Sequence, residues 1–321
     1  MNAYLSEPME RDDAQALFAR AGVRDAVVDI EPCRGGVTNL NYRVTLGSGQ
    51  RVLLRRYRSR DGAGDAAASE AMLHPLLRDH GIPVPQLVAA GRDGSDPFAI
   101  FEWLDGVRLR DAANQEPDPA RLVRAWADTG TALRRAHAID LPQRRDGELR
   151  GGRFVPSQGP WADTFAHDLR RHAAVLRGKA LIGEDDVRRI RVVADRAVAV
   201  IGVYTPSLLH GDAHAANVLV QDGTDGWALA GWIDWERAIV GDPALDLAVF
   251  DVFTRAQVGE TPEAFWSGYG RHPATQPHRF YELVTLLLLA SLDHAQSLPP
   301  GREARRVVTT DLAGLLNDLG S

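Results

Sequence analysis

Leu208–Asp246 reads LLHGDAHAANVLVQDGTDGWALAGWIDWERAIVGDPALD, and the fold turns on it. An apolar pair, Leu208 and Leu209, runs into His210-Gly211-Asp212, and Asn217 follows five residues after that aspartate. Val218, Leu219 and Val220 form a short apolar run, a turn rich in Asp and Gly follows, and a second run from Trp227 to Ile233 ends on Asp234. The pattern predicts a hairpin that carries two carboxylates and an amide at its strand ends. That set suits a metal-bound phosphate meeting a hydroxyl nucleophile. One Asp accepts the hydroxyl proton, the Asn holds Mg²⁺, and the second Asp is the main metal ligand. A carboxylate with a pKa near ~4 is a weak base. A loose transition state tolerates this, because the hydroxyl loses its proton late and orientation matters more than basicity. The plainer alternative, a polar turn with Asp234 as a helix cap, leaves the common register of the three groups unexplained.

His210 and His214 flank Asp212 and have two readings, as metal ligands or as braces for the loop. Asp242 precedes a proline at a predicted helix start. Asp246 faces an apolar helix, where it can accept hydrogen bonds from the backbone of the His210–Asp212 loop; either aspartate could instead meet a cationic substrate.

Working outward, the chain begins with an amphipathic helix over 10–21 that ends at Gly22. Residues 26–58 read as a β-meander: Val27, Val28 and Ile30, then Tyr42, Val44 and Leu46, then Val52, Leu53 and Leu54. Between the first two runs lies Gly35-Gly36-Val37-Thr38-Asn39, a turn able to place backbone N–H groups over phosphates. Arg55 emerges from the third run, where a cation needs an anionic partner, and by period 2 Arg56 points the other way. Glu70 supplies the partner. It lies in line with Leu73 and Leu77 on a helix over 65–79 that Pro75 either kinks or divides. A hairpin over 86–104 follows, and after Asp105-Gly106 the chain turns helical, with Asp118-Pro119 as a start signal. Further helices are expected at 162–177, 184–201, 261–270, 279–296 and 302–318.

At 321 residues the chain has room for two lobes, and a formal net charge of −6 argues against general nucleic-acid binding while suiting a cationic substrate. The single cysteine, Cys33, rules out an internal disulfide and fits a reducing compartment. The N-terminus lacks the basic and apolar segments of a signal peptide, and Leu283–Leu292 has about half the length that a membrane span needs. A cytoplasmic protein without membrane contact is expected. Of 37 basic residues only Lys179 is lysine, so a fixed cation in the site must be arginine.

The order of glycine turn, Arg55, Glu70, hinge Phe101-Glu102-Trp103-Leu104, HGDAHAAN and IDWE resembles the aminoglycoside phosphotransferase and choline kinase superfamily over about residues 25–295. The resemblance implies an α+β, protein-kinase-like fold: a β-rich N-lobe over 1–104 with one main helix, and a helical C-lobe over 105–321. It implies Asp212 as catalytic base, with Asn217 and Asp234 as magnesium ligands. Nucleotide, ATP or GTP, would be held by Gly35, Gly36, Thr38, Asn39, Arg55 with its partner Glu70, and the hinge residues Glu102, Trp103 and Leu104. The turn lacks the GxGxxG of protein kinases and Asp234 is followed by Trp235-Glu236 rather than Phe-Gly, which favours a small-molecule kinase.

The acceptor is then a hydroxyl of a small, cationic molecule, an aminoglycoside-like antibiotic or an amino alcohol, and the protein a monomer or homodimer. GGVTNLNY resembles choline and ethanolamine kinases, whereas the GDPALDLA segment equally suits antibiotic phosphotransferases; sugar or nucleoside kinases remain alternatives. Trp161, Trp235 and Trp266 are candidates for cation–π contacts, and Asp163, Asp168 and Glu236 for ammonium pairing, with 151–168 as a substrate-side wall. Two readings from other classes compete. A metal-dependent hydrolase built on His210, Asp212, His214 and Asp234 leaves Asn217, Arg55 and Glu70 without roles. A non-catalytic kinase-like regulatory module leaves the Asp212–Asn217–Asp234 set unused.

Overall fold

The structure is a computed structural model that describes residues 8–33, 39–58, 63–142, 145–270 and 275–320. Two compact units divide it. The first takes in the chain to Gly106 together with Leu149–Val155 and Ala230–Arg237, and the second takes in Val107–Glu148, Pro156–Leu229 and Ala238–Ser321.

The first unit is an antiparallel sheet with two helices. Its elements are α1 (Arg11–Arg20), β1 (Val27–Pro32), β2 (Leu40–Leu46), β3 (Arg51–Arg56), α2 (Ala63–Asp79), β4 (Leu87–Asp93) and β5 (Asp96–Glu102). The strands run in the order β1-β2-β3-β5-β4. In β2 the alternation Tyr42, Val44, Leu46 buries one face, as period 2 requires. Phe98 through Phe101 of β5 are all buried, because this strand is covered on both sides. Phe98 and Ile100 join Ala14, Leu17 and Phe18 of α1, while Ala99 and Phe101 join Ala67 of α2 and Tyr57. In register, Arg55 pairs with Asn41 on one side and Ala99 on the other, which puts it on the α2 face. Helix α2 runs unbroken through Pro75. Trp232 donates its amide to Pro83 O (2.8 Å), and a Cβ on Gly231 would come within 2.7 Å of Leu104 Cδ1 and 3.1 Å of Pro83 O. Glycine is thus what lets residues 230–237 pack this closely on the unit.

The second unit is mainly helical. Its elements are β6 (Val107–Arg108), α3 (Leu109–Gln115), α4 (Val123–His137), β7 (Gly147–Arg150), β8 (Arg153–Pro156), α5 (Trp161–Gly178), α6 (Glu184–Asp195) and α7 (Ala197–Ile201). After β9 (Ser207–Leu209), β10 (Val218–Gln221), β11 (Ala228–Trp232) and β12 (Ile239–Gly241) come α8 (Ala244–Val258), α9 (Glu263–Tyr269), α10 (Gln276–Ser291), α11 (Pro299–Thr310) and α12 (Leu312–Asp318). Strands β7 and β8 and strand β11 cross the boundary between the two units. A core of Leu169, Ala248, Phe280, Leu283 and Leu287 joins α5, α8 and α10. Helices α4 and α9 touch at two glycines. A Cβ on Gly130 would lie 2.2 Å from Phe265 O, and one on Gly268 2.0 Å from Ala127 O. Strand β12 pairs antiparallel with β9, Ile239 opposite Leu209, and β10 pairs with β6.

Three expected helices have other limits. The span 184–201 is two helices, because Arg196 (φ −100°, ψ 5°) leaves helical geometry. The span 302–318 likewise divides at Asp311 (φ −125°) and starts earlier, with Pro299 and Pro300 in its first turn. Helix α10 begins at Gln276, since the Thr275 hydroxyl accepts from His278 N and caps it. No described helix is long and apolar enough to cross a membrane.

Candidate active site

In the first unit a polar cluster forms around Arg55, which is buried on the α2 face of the sheet. Its Nη1 donates to both carboxylate oxygens of Glu70 (2.9 Å each) and to Asp234 Oδ1 (2.9 Å), and its Nε donates to Asn41 Oδ1 (3.1 Å). Nη2 makes no hydrogen bond to any described residue. Glu70, 1% exposed, also accepts from the Tyr57 hydroxyl. Burial alone would raise the Glu70 pKa, but Arg55, then His74 (Nε2 3.7 Å from Oε1) and the bond from Tyr57 outweigh it and hold the carboxyl down at about 2. Burial likewise disfavours the Arg55 cation, and its two carboxylates more than reverse this, so its pKa rises.

Asp234 follows β11 with φ +71°, the left-handed region that few non-glycine residues occupy. Such strain concentrates at functional sites. Glu236 lies in the next short turn and accepts from Asn39 Nδ2. Burial and the neighbouring Asp234 charge raise the Glu236 carboxyl to about 7. At the hinge, Glu102 N donates to Gln86 O (2.8 Å) and Trp103 N to Arg51 O (3.3 Å), whereas Leu104 N donates to no acceptor among the described residues.

In the second unit the loop after β9 is anchored from beneath. Asp246, fully buried, accepts from His210 N (2.6 Å), Gly211 N (2.9 Å) and His137 Nε2 (3.1 Å). Burial would raise its pKa, but the His137 hydrogen bond and charge hold it below the usual range. Because the carboxylate can only accept, His137 has a proton on Nε2, and its Nδ1 meets the Tyr269 hydroxyl (2.8 Å). His210 is fully buried and its Nδ1 accepts from Asp212 N (3.3 Å), a bond that braces the loop. Gly211 has φ +76°, which lets the chain turn so that Asp212 comes out partly exposed. Asn217 Nδ2 donates to Asp212 O (3.0 Å), so its amide oxygen is the end left to accept.

The expected ion pair of Arg55 with Glu70 is present, and Asp234 joins it within the same unit. Asp212 and Asn217 come together in the other. Gly35, Gly36 and Thr38 lie outside the described residues; Asn39 is described and buried. Of the two uses open to Trp161, Trp235 and Trp266, a cation contact or core packing, the structure shows the second: all three are buried. Tyr57, Asn41, His137 and Tyr269 were not singled out from sequence. Tyr57 could have been, since it stands two residues beyond Arg55 and shares its face. Among the described residues no group of three or more His, Cys, Asp and Glu side chains is arranged to hold a metal ion. The carboxylate of Asp234 and the amide oxygen of Asn217 are hard oxygen donors of the kind that magnesium takes, so these residues fit it.

Comparison with known proteins adds a second line. The profile of the phosphotransferase enzyme family matches residues 29–282. An aminoglycoside 3'-phosphotransferase from Streptomyces fradiae is 29% identical over 220 residues, covering 65% of this chain and 74% of its own. A viomycin phosphotransferase from Streptomyces vinaceus is 27% identical over 216 residues, covering 64% and 68%. Among solved structures, the GDP complex of wild-type aminoglycoside 2'-phosphotransferase-IIIa aligns with a TM-score of 0.63 at 19% identity, over 97% of this chain and 99% of that one. This likeness shows the α+β, protein-kinase-like fold, with an antiparallel-sheet N-lobe and a helical C-lobe.

Proposed function

We infer the function from one premise: the chain belongs to the phosphotransferase enzyme family. We propose that it moves the γ-phosphate of ATP to a hydroxyl of a small cationic molecule, an aminoglycoside-like antibiotic or an amino alcohol. The observation that carries this reading is the part-engaged guanidinium of Arg55. Nη1 and Nε are held by Glu70, Asp234 and Asn41, which fixes the plane and leaves Nη2 as the donor for an anion. A buried cation oriented in this way suits the phosphates of a nucleotide.

Each residue then has a task. Asp212, anchored through its loop, takes the acceptor proton as the phosphoryl group transfers. Asn217 and Asp234 offer the oxygen donors for magnesium, which when bound would neutralise charge building on the phosphates. Leu104 N is the hinge amide available to the nucleotide base, narrowing the expected contacts of Glu102 and Trp103 to their carbonyls and side chains. The relatives are named for aminoglycoside and viomycin, and the net charge of −6 suits a cation. A cytoplasmic protein acting as a monomer or homodimer fits this role.

The test is ADP release from ATP–Mg²⁺ across aminoglycosides, amino alcohols, nucleosides and sugars, with the Asp212→Ala and Asp234→Ala variants beside the wild type. Asp212→Ala abolishes turnover while nucleotide binding survives, and Asp234→Ala removes the Mg²⁺ dependence of that binding. Near-normal turnover of Asp212→Ala sinks the base assignment.

A further inference from the structure

The polar group facing the proposed base is His214. Its Nδ1 accepts from Ala216 N (3.2 Å), capping the short turn that leads to Asn217. That bond uses the Nδ1 lone pair, so the neutral ring carries its proton on Nε2. Nε2 lies 3.7 Å from Asp212 Oδ1. The ring is held there from the side, stacked on Phe253 of α8 at 5.0 Å and 8°. Cap and stack together fix both the tautomer and the direction of the Nε2–H.

We propose that His214 is a positioning residue for the phosphoryl transfer: its Nε2–H holds Oδ1 of Asp212 and so presents Oδ2 to the acceptor hydroxyl. This rests on the reading of Asp212 as the base. At 3.7 Å the contact is longer than a hydrogen bond, and it closes when the acceptor pins the carboxylate, since catalytic hydrogen bonds are often long before substrate binds. The group acts through orientation. It never takes the proton itself, because its only lone pair is spent on Ala216 N.

Three replacements separate this role from plain loop packing. Glutamine places an N–H near the position of Nε2. Asparagine keeps an acceptor for Ala216 N but cannot reach Asp212. Phenylalanine keeps the stack and loses both polar contacts. Activity is read as ADP release with the best acceptor of the panel, and kcat and KM for ATP are measured separately. His214→Asn and His214→Phe lower kcat by about 10–100-fold, the range for an orienting hydrogen-bond partner, with KM for ATP unchanged. His214→Gln recovers most of the loss. In an Asp212→Asn background His214→Asn costs nothing further, since it has no base left to orient. In the free protein, ¹⁵N resonances of the imidazole report the Nε2–H tautomer. A Nδ1–H tautomer, rescue by Asn or Phe rather than Gln, or an undiminished loss in the Asp212→Asn background overturns the role of His214. Near-normal turnover of Asp212→Asn alone instead removes the base assignment on which this role rests.

Discussion

Replacing Glu70 with glutamine removes one charge from the buried cluster and keeps its shape. In the wild type this carboxylate has its pKa lowered from 4.5 to about 2, so its ionised form is favoured in the folded state. A difference of that size corresponds to about 3 kcal/mol at pH 7, at 1.36 kcal/mol per unit. Removing one partner of a buried ion pair costs about 3–5 kcal/mol by a separate route, and the lower end applies here because Asp234 still neutralises Arg55. The sign follows from the depressed pKa: the contribution is complete above the unfolded value and is lost as pH falls toward the folded one. Integrating between the two values, about 2 kcal/mol of it disappears between pH 7 and pH 3. Glutamine carries no such titration. Urea midpoints of wild type and Glu70→Gln, taken from pH 7 to pH 3, should therefore differ by about 3 kcal/mol at neutral pH and by only about 1 kcal/mol at the acid end. A gap that stays constant over that range refutes the reasoning, because the carboxylate would then not be the ionised partner of Arg55.

Asp246→Asn replaces two acceptor oxygens by one, so either His210 N or Gly211 N loses its bond. A buried unpaired donor costs about 1–3 kcal/mol, and kcat should fall more than KM for ATP rises, since the disturbance reaches Asp212 and not the hinge. Equal changes in both constants would count against the anchor. Gly268→Ala drives a Cβ to 2.0 Å from Ala127 O, so α4 and α9 must separate. A loss of at least about 1–3 kcal/mol in thermal or urea unfolding is expected, and a neutral result would mean that the two helices give way easily.

What the sequence makes legible is whatever a local period carries. Arg55 is found because strand alternation puts it beside Leu53 and opposite Arg56, and the structure buries the first and leaves the second part-exposed. Glu70 is found because helical spacing places it over Leu73 and Leu77, both buried. The backbone-accepting role of Asp246 follows from an acid on an apolar helix. Other features depend on contacts between distant segments, which no period encodes. Residues 230–237 join the first unit because Gly231 admits Pro83 O and Leu104, and Tyr269 meets His137 because Gly130 and Gly268 let two helices touch. The choice between packing and a cation contact for the tryptophans is illegible for the same cause. A tryptophan at the right sequence distance says nothing about which of its faces is covered.

The near-absence of lysine sharpens the point. Lys179, the one lysine, is engaged in the helical unit, where it donates to Ser291 O (2.7 Å) and Asp293 Oδ1 (2.6 Å). An ammonium at position 55 would offer three donors from a single atom. Met by Glu70 and Asp234 together, it would keep little for a phosphate. Arginine separates these duties: one nitrogen holds both carboxylates, a second is oriented by Asn41, and a third makes no hydrogen bond to a described residue. Arg55→Lys should therefore preserve the ion pair with Glu70 yet weaken nucleotide binding, which a titration with ATP–Mg²⁺ measures directly. Unchanged affinity in a variant of undiminished stability would mean that the third nitrogen has no anion to meet.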